Sequence, residues 1–221
     1  MSNSRKESAL GRVARDPVSR RRFFALTGGT TAAGLLVACG DDEEEESGTS
    51  TTSTTTDEEM ASQFGEGDLG IVNYALTLEY LEAQFYSDVA KSGLFKGDDL
   101  ALIEAFGAAE QEHVDALTAT AKDLGGEPAA QPKAEFPLED AKSVLDLAAT
   151  VENLGAAAYL GAAGLIESPD VLAAALSIHT VEGRHAAVLN VLIGAEPTPD
   201  GAFAQGADMQ TVLDEVQPFL A

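Results

Sequence analysis

Apolar residues recur every three or four positions along four long stretches of the chain, the spacing that lines one face of an α-helix. The first predicted helix covers residues 68–91, with Asp68 as a candidate N-cap and Gly93 closing it. The second opens at Asp98 or Asp99 and stops at Leu124, because Gly125 and Gly126 cannot sustain it. A third covers about residues 139–166. Ser168 and Pro169 then supply a cap and a first helical residue for the fourth, which continues to about Ile193 and ends at Gly194. The first and last pairs are joined by short turns, whereas residues 127–138 contain proline and are too long for a tight turn. This order predicts an all-α fold: a four-helix bundle over residues 68–194 with a long crossover between helices two and three. A C-terminal extension, residues 195–221, carries a short amphipathic piece at 209–216 that packs back on the bundle.

Acidic residues break the apolar stripes once per helix. Glu79 lies among Val72, Ala75, Leu76, Ala83 and Tyr86, and Glu110 among Ile103, Phe106, Val114 and Leu117. Glu152 lies among Leu145, Ala148, Ala149, Ala156 and Tyr159, and Glu182 among Ala175, Ile178, Ala186 and Leu189. One such glutamate snorkels easily to water. Four near mid-helix would instead meet inside the bundle, where uncompensated carboxylates cost several kcal/mol each or hold protons. Arg184 is the only arginine beyond residue 39, so protein cations are scarce. Bound metal ions are the natural counter-charge.

Two of the three histidines stand three residues after a glutamate, in Glu110-Gln111-Glu112-His113 and Glu182-Gly183-Arg184-His185. On a helix that spacing puts both side chains on one face, a two-ligand grip on an ion. The halves repeat: Glu79 and Tyr86 map onto Glu152 and Tyr159 with an offset of 73, and Glu110 and His113 map onto Glu182 and His185 with an offset of 72. Such a duplication predicts a site with approximate twofold symmetry. Glu82 rivals Glu79 on nearly the same face, but its counterpart is Gly155, so Glu79 is the ligand candidate and Glu82 an outlying acid. His179 has Gly107 nearest its equivalent place and is expected to be packed or to support the ligands.

With these motifs in place, residues 68–194 resemble the ferritin-like superfamily, in which two helices each give a glutamate and two give Glu-x-x-His. The segments around Leu78–Tyr86 and Val181–Ala186 are most similar to single-domain, desiccation-related members. The resemblance implies two metal ions, iron foremost with manganese or zinc as alternatives, bridged by Glu110 and Glu182. His113 and His185 would each cap one ion, with Glu79 and Glu152 terminal. Carboxylate and imidazole suit those metals. Tyr86 and Tyr159 would orient ligands, pass an electron, or simply pack.

The N-terminal region points to location. Ser19-Arg20-Arg21-Arg22-Phe23-Phe24 precedes a weakly apolar run and Leu36-Val37-Ala38-Cys39-Gly40, similar to a twin-arginine lipoprotein signal over residues 1–38 with Cys39 as the lipidated residue. That run of about 16 residues, Phe23–Ala38, is broken by Gly28, Gly29 and Gly34 and falls short of the roughly 20 apolar residues a membrane span needs. The protein would then be exported and anchored by lipid on the outer side of the cytoplasmic membrane. Residues 39–67, acidic and Thr-rich after Cys39, read as a disordered linker.

The chain carries a formal charge of −24. Residues 1–38 hold seven of its 13 basic and two of its 37 acidic residues, so without them the charge is 6 minus 35, or −29. That balance excludes nucleic acid as a partner and favours cations. Cys39 is the single cysteine, so no Cys-x-x-Cys pair exists for the electron-transfer arrangement of rubrerythrins. Two functions stand at this point: a tethered di-metal centre that oxidises iron(II) or consumes oxygen or peroxide, and a non-enzymatic stress-related or partner-binding lipoprotein whose metal is structural or absent. A homodimer is compatible with either.

Overall fold

The computed structural model describes residues 63–221; the expected export signal, Cys39 and most of the expected linker lie outside the described residues. Four long helices organise the rest: α1 (Gly67–Lys91), α2 (Asp98–Asp123), α3 (Ala141–Ala162) and α4 (Pro169–Leu192). A 3-10 turn at Ala163–Leu165 ends α3, and a short helix α5 (Met209–Val216) lies in the C-terminal extension. The fold is the expected all-α bundle, with no strand among the described residues beyond one isolated bridge between Ala134 and Leu220. Nor is any described helix long and apolar enough to cross a membrane.

Local chemistry sets the helix ends. Ser168 caps α4 through its hydroxyl, with Pro169 in the first turn, and Asp140 caps α3 in a reciprocal capping box with Ser143. One cap and one helix end differ from expectation, while α2 opens at Asp98 as expected. The N-cap of α1 is Glu66, and the Asp68 carboxylate instead accepts hydrogen bonds from the backbone N–H groups of Glu167 and Ser168, each at 2.8 Å. That contact ties the start of α1 to the turn between α3 and α4. The N-cap of α2 is Gly97, whose φ of 61° favours glycine, while Asp98 and Asp99 sit in the first turn, where the helix dipole favours acids. The α-helical part of α3 also ends before Ile166, at Ala162.

Direction follows from two cross-bundle contacts, Tyr86 with Glu152 and Tyr159 with Glu79. They require α1 and α3 to run antiparallel. A short loop makes α2 antiparallel to α1, so α2 and α3 run the same way and residues 124–140 must return along the bundle. Polar side chains of α1 hold this crossover. Asn73 donates to the Phe64 and Glu127 carbonyls and accepts from Ala129 N–H, while Gln84 donates to the Ala134 carbonyl. The C-terminal residues clasp it from outside through Glu135 N–H to the Phe219 carbonyl and Ala221 N–H to the Lys133 carbonyl.

Two apolar clusters plug the ends of the bundle. Val72, Leu76, Leu117, Ala121, Val171 and Ile178 fill one end, and Phe85, Val89, Ile103, Phe106, Val144 and Leu189 the other. A third cluster, with Tyr74, Leu78, Leu81, Ala158, Val212 and Val216, joins α5 to the α1–α3 face. The extension reaches that face because Gly161 and Gly206 let backbones touch: a Cβ on Gly161 would lie 1.8 Å from the Ala207 carbonyl oxygen. Ala207 N–H also bonds to the Ala157 carbonyl at 2.9 Å. Gly161→Ala is therefore expected to cost about 1–3 kcal/mol by forcing the extension off α3. Urea unfolding of the two proteins checks this, and an unchanged midpoint would contradict it.

Candidate metal centre

Between the two apolar plugs the core turns polar. Glu79, Glu110, Glu152 and Glu182 are fully buried, and Glu82 is 3% exposed. Each helix carries its acid inward for the reason that buries its neighbours, a position within the apolar stripe. His113 and His185 follow their glutamates by one turn and point to the same space.

The six expected side chains converge in two overlapping groups. Glu79, Glu110, His113 and Glu182 offer ligand atoms within 4.8 Å of one another, and so do Glu110, Glu152, Glu182 and His185. Glu110 and Glu182 are common to both. Glu110 spans the centre, with Oε2 2.8 Å from His113 Nδ1 and Oε1 2.9 Å from His185 Nδ1. His113 Nδ1 also lies 3.2 Å from Glu79 Oε2 and from Glu182 Oε1, and His185 Nδ1 lies 3.3 Å from Glu152 Oε2.

The tyrosines complete the symmetry crosswise. Tyr86 on α1 donates its hydroxyl to Glu152 Oε1 on α3, and Tyr159 on α3 donates to Glu79 Oε1 on α1, both at 2.5 Å. Each phenol occupies one oxygen of its carboxylate and leaves Oε2 facing the histidine. Burial pushes both phenols well above their ordinary pKa, and the nearby carboxylates push the same way, so they stay protonated donors. Phe106 stacks on His185 with ring centres 4.1 Å apart and fixes that imidazole.

Metal ions suit this donor set on the structure's own terms. Glu110 Oε1, Glu152 Oε2, both oxygens of Glu182 and His185 Nδ1 are buried without a hydrogen-bond partner. His185 Nδ1 and Glu110 Oε1 lie close together yet are not aligned as donor and acceptor. Lone-pair atoms aimed at a shared point produce that geometry, and leaving them uncompensated would be costly.

Without metal, the cluster takes up protons. Burial raises the Glu79 and Glu182 carboxyls to about 8, and neighbouring carboxylates add to it. Burial likewise raises Glu82 and Glu152. Burial opposes charge on the histidines too, but the carboxylates beside them outweigh it and bring His113 up to about 12 and His185 up to about 10. Glu110 is held below its ordinary value, because the two histidines outweigh its burial.

The remaining candidates lie outside the two groups. His179 donates from Nδ1 to the Ala156 carbonyl at 3.0 Å and packs on the α3 backbone. Glu82 is buried beside the groups without joining either. Sequence reasoning missed the pair Asn153 and Asn190, whose amides bond mutually between α3 and α4 at 2.9 and 3.2 Å. Both positions looked like ordinary polar residues, and only their pairing across the bundle gives them away.

No curated protein matches the chain. Residues 67–195 match the family described as Ferritin-like domain, a span that contains all six clustered side chains. Because that span exceeds half of the sequence, the chain belongs to the ferritin-like domain family.

Proposed function

We propose that the bundle holds two metal ions, iron foremost, and oxidises iron(II) with oxygen or peroxide outside the cytoplasm, tethered through a lipidated Cys39. The observation that carries the metal reading is Glu110, whose two oxygens each face a different histidine, with Glu182 shared by the same two groups. Glu79, Glu110, His113 and Glu182 would hold one ion, and Glu110, Glu152, Glu182 and His185 the other. Bound there, iron would supply the electrons that reduce oxygen or peroxide.

The chain's own side chains set the conditions. Tyr86 and Tyr159 keep their protons on the Oε1 atoms of Glu152 and Glu79, which fixes both carboxylates and leaves a phenol within hydrogen-bond reach of each. The apolar plugs exclude water from above and below. The imidazoles are 11% and 10% exposed while the glutamates facing them are at 0%, so small oxidants approach from the α2–α4 side.

Anaerobic loading of the purified protein with iron(II), followed by oxygen or peroxide, tests this. Two irons per chain, oxidised much faster than iron(II) in buffer, are expected. Tight binding of two irons with oxidation no faster than in buffer would overturn the redox reading and leave a structural clamp. Tyr86→Phe and Tyr159→Phe are expected to keep both ions, weaken them by about tenfold, and slow oxidation. Unchanged affinity and rate in both variants would reduce the phenols to packing.

A further inference from the structure

Among the buried positions at which the duplicated halves differ, one carries an acid. Glu82 on α1 corresponds to Gly155 on α3 at the same offset of 73 that pairs Glu79 with Glu152 and Tyr86 with Tyr159. Both residues are buried, and they face each other. A Cβ placed on Gly155 would lie 2.8 Å from Glu82 Oε1 and 3.3 Å from Glu182 Oε2, so the missing side chain on α3 makes the room that the Glu82 carboxylate fills. Two acids cannot both be accommodated there, and an alanine already crowds the one present.

A second feature marks the same place. Glu82 is the only charged residue lining a cavity of about 20 Å³ between α1, α3 and α5, bounded by Leu78, Leu81, Val151, Leu154, Val212 and Val216. That is room for about one water. Burying a carboxylate against these aliphatic walls costs several kcal/mol unless a positive charge lies nearby. Among the described residues it makes no ion pair with Lys, Arg or His. Its neighbours across the bundle are the acids of the centre, Glu182 foremost.

We infer that Glu82 is a fifth carboxylate of the centre, present on one side only, and that it makes the two metal positions unequal in affinity and ligation. The inference rests on the metal reading above and adds to it: the six-residue set is symmetric, and Glu82 breaks that symmetry. Gly155 is then a positioning residue, acting through the carboxylate that it admits.

Cobalt(II), whose visible absorption reports its ligands, tests this when titrated into the protein and into Glu82→Gln, Gly155→Ala and the double variant. Glu82→Gln keeps the shape and removes the charge. It is expected to weaken one ion by about tenfold or more, to alter the absorption of that ion, and to leave the other within about threefold. The metal-free melting temperature should stay level or rise, since a buried carboxyl with no ion-pair partner is replaced by a neutral amide of the same shape. Gly155→Ala is expected to reproduce the selective loss in the parent and to add nothing on top of Glu82→Gln. Unchanged affinities for both ions in Glu82→Gln would overturn the inference. So would equal weakening of both ions with a lower metal-free melting temperature, the mark of a purely structural role. Absence of any cobalt(II) binding by the parent would instead remove the metal reading itself, and this inference with it.

Discussion

Replacing Glu110 with alanine is expected to abolish paired metal binding and to bring iron(II) oxidation down to the rate in buffer. Glu110 is the one carboxylate within hydrogen-bonding distance of both histidines, at 2.8 and 2.9 Å. Its loss takes a donor from each group and the bridge between them in one step. Residues that merely support a ligand cost about 10–100-fold in affinity, so a shared ligand should cost at least the upper end of that range at both ions. Glu182→Ala should behave alike, because Glu182 also belongs to both groups. Glu79→Ala and Glu152→Ala each touch one group only, and each should spare one ion. Metal content after gel filtration distinguishes the cases, with far-UV circular dichroism as the check that the bundle persists. Two tightly held ions in Glu110→Ala would rule out the shared-ligand geometry, and a single lost ion would show that Glu110 serves one position only.

Much of this arrangement is legible in the chain, for a physical reason. A helix buries what its period places inward, so a glutamate in the middle of an apolar stripe announces a polar centre, and the repeat at 72 and 73 announces that the centre has two related halves. The tyrosines show how far such reasoning reaches. Tyr86 and Tyr159 each stand seven residues after an acid, and on antiparallel helices equal spacings must pair crosswise, as they do. The crossover predicted over residues 127–138 already implies that direction, and the structure adds the contacts themselves. Other features depend on contacts that no local pattern encodes. Asp68 has the composition of a cap, yet its carboxylate accepts from the N–H groups of Glu167 and Ser168, in a turn far along the chain. Glu79 and Glu82 differ by about 60° around α1, too little for periodicity alone to rank them. The ranking needed Gly155, a residue whose contribution is an absence.

Metal should stabilise the protein far more at pH 8 than at pH 5. In the metal-free protein, Glu79 and Glu182 rise from 4.5 to about 8, His113 from 6.5 to about 12 and His185 from 6.5 to about 10. The folded state therefore holds more protons than the unfolded chain. The stability tied to those protons is complete below the unfolded values and is lost as pH climbs, from about 4.5 for the glutamates and 6.5 for the histidines, through the folded values. Metal-free protein should accordingly melt at a falling temperature as pH rises over this window. Glu110, held low, opposes the trend only in acid, as pH falls below its unfolded value. Metal reverses the slope, because the ions compete with those same protons for the ligand atoms and bind more tightly as the protons leave. A site filled at about a thousand times its Kd adds roughly 4 kcal/mol, and for a domain of this size each kcal/mol moves the melting temperature by roughly 2–4 °C. Manganese(II) suits the measurement because oxygen leaves it unchanged under these conditions. Melting curves with manganese(II) and with chelator should diverge at pH 8 and approach each other at pH 5. Curves separated equally at both values would mean that the ions bind away from the proton-loaded cluster, and the carboxylates and imidazoles between the apolar plugs would need another explanation.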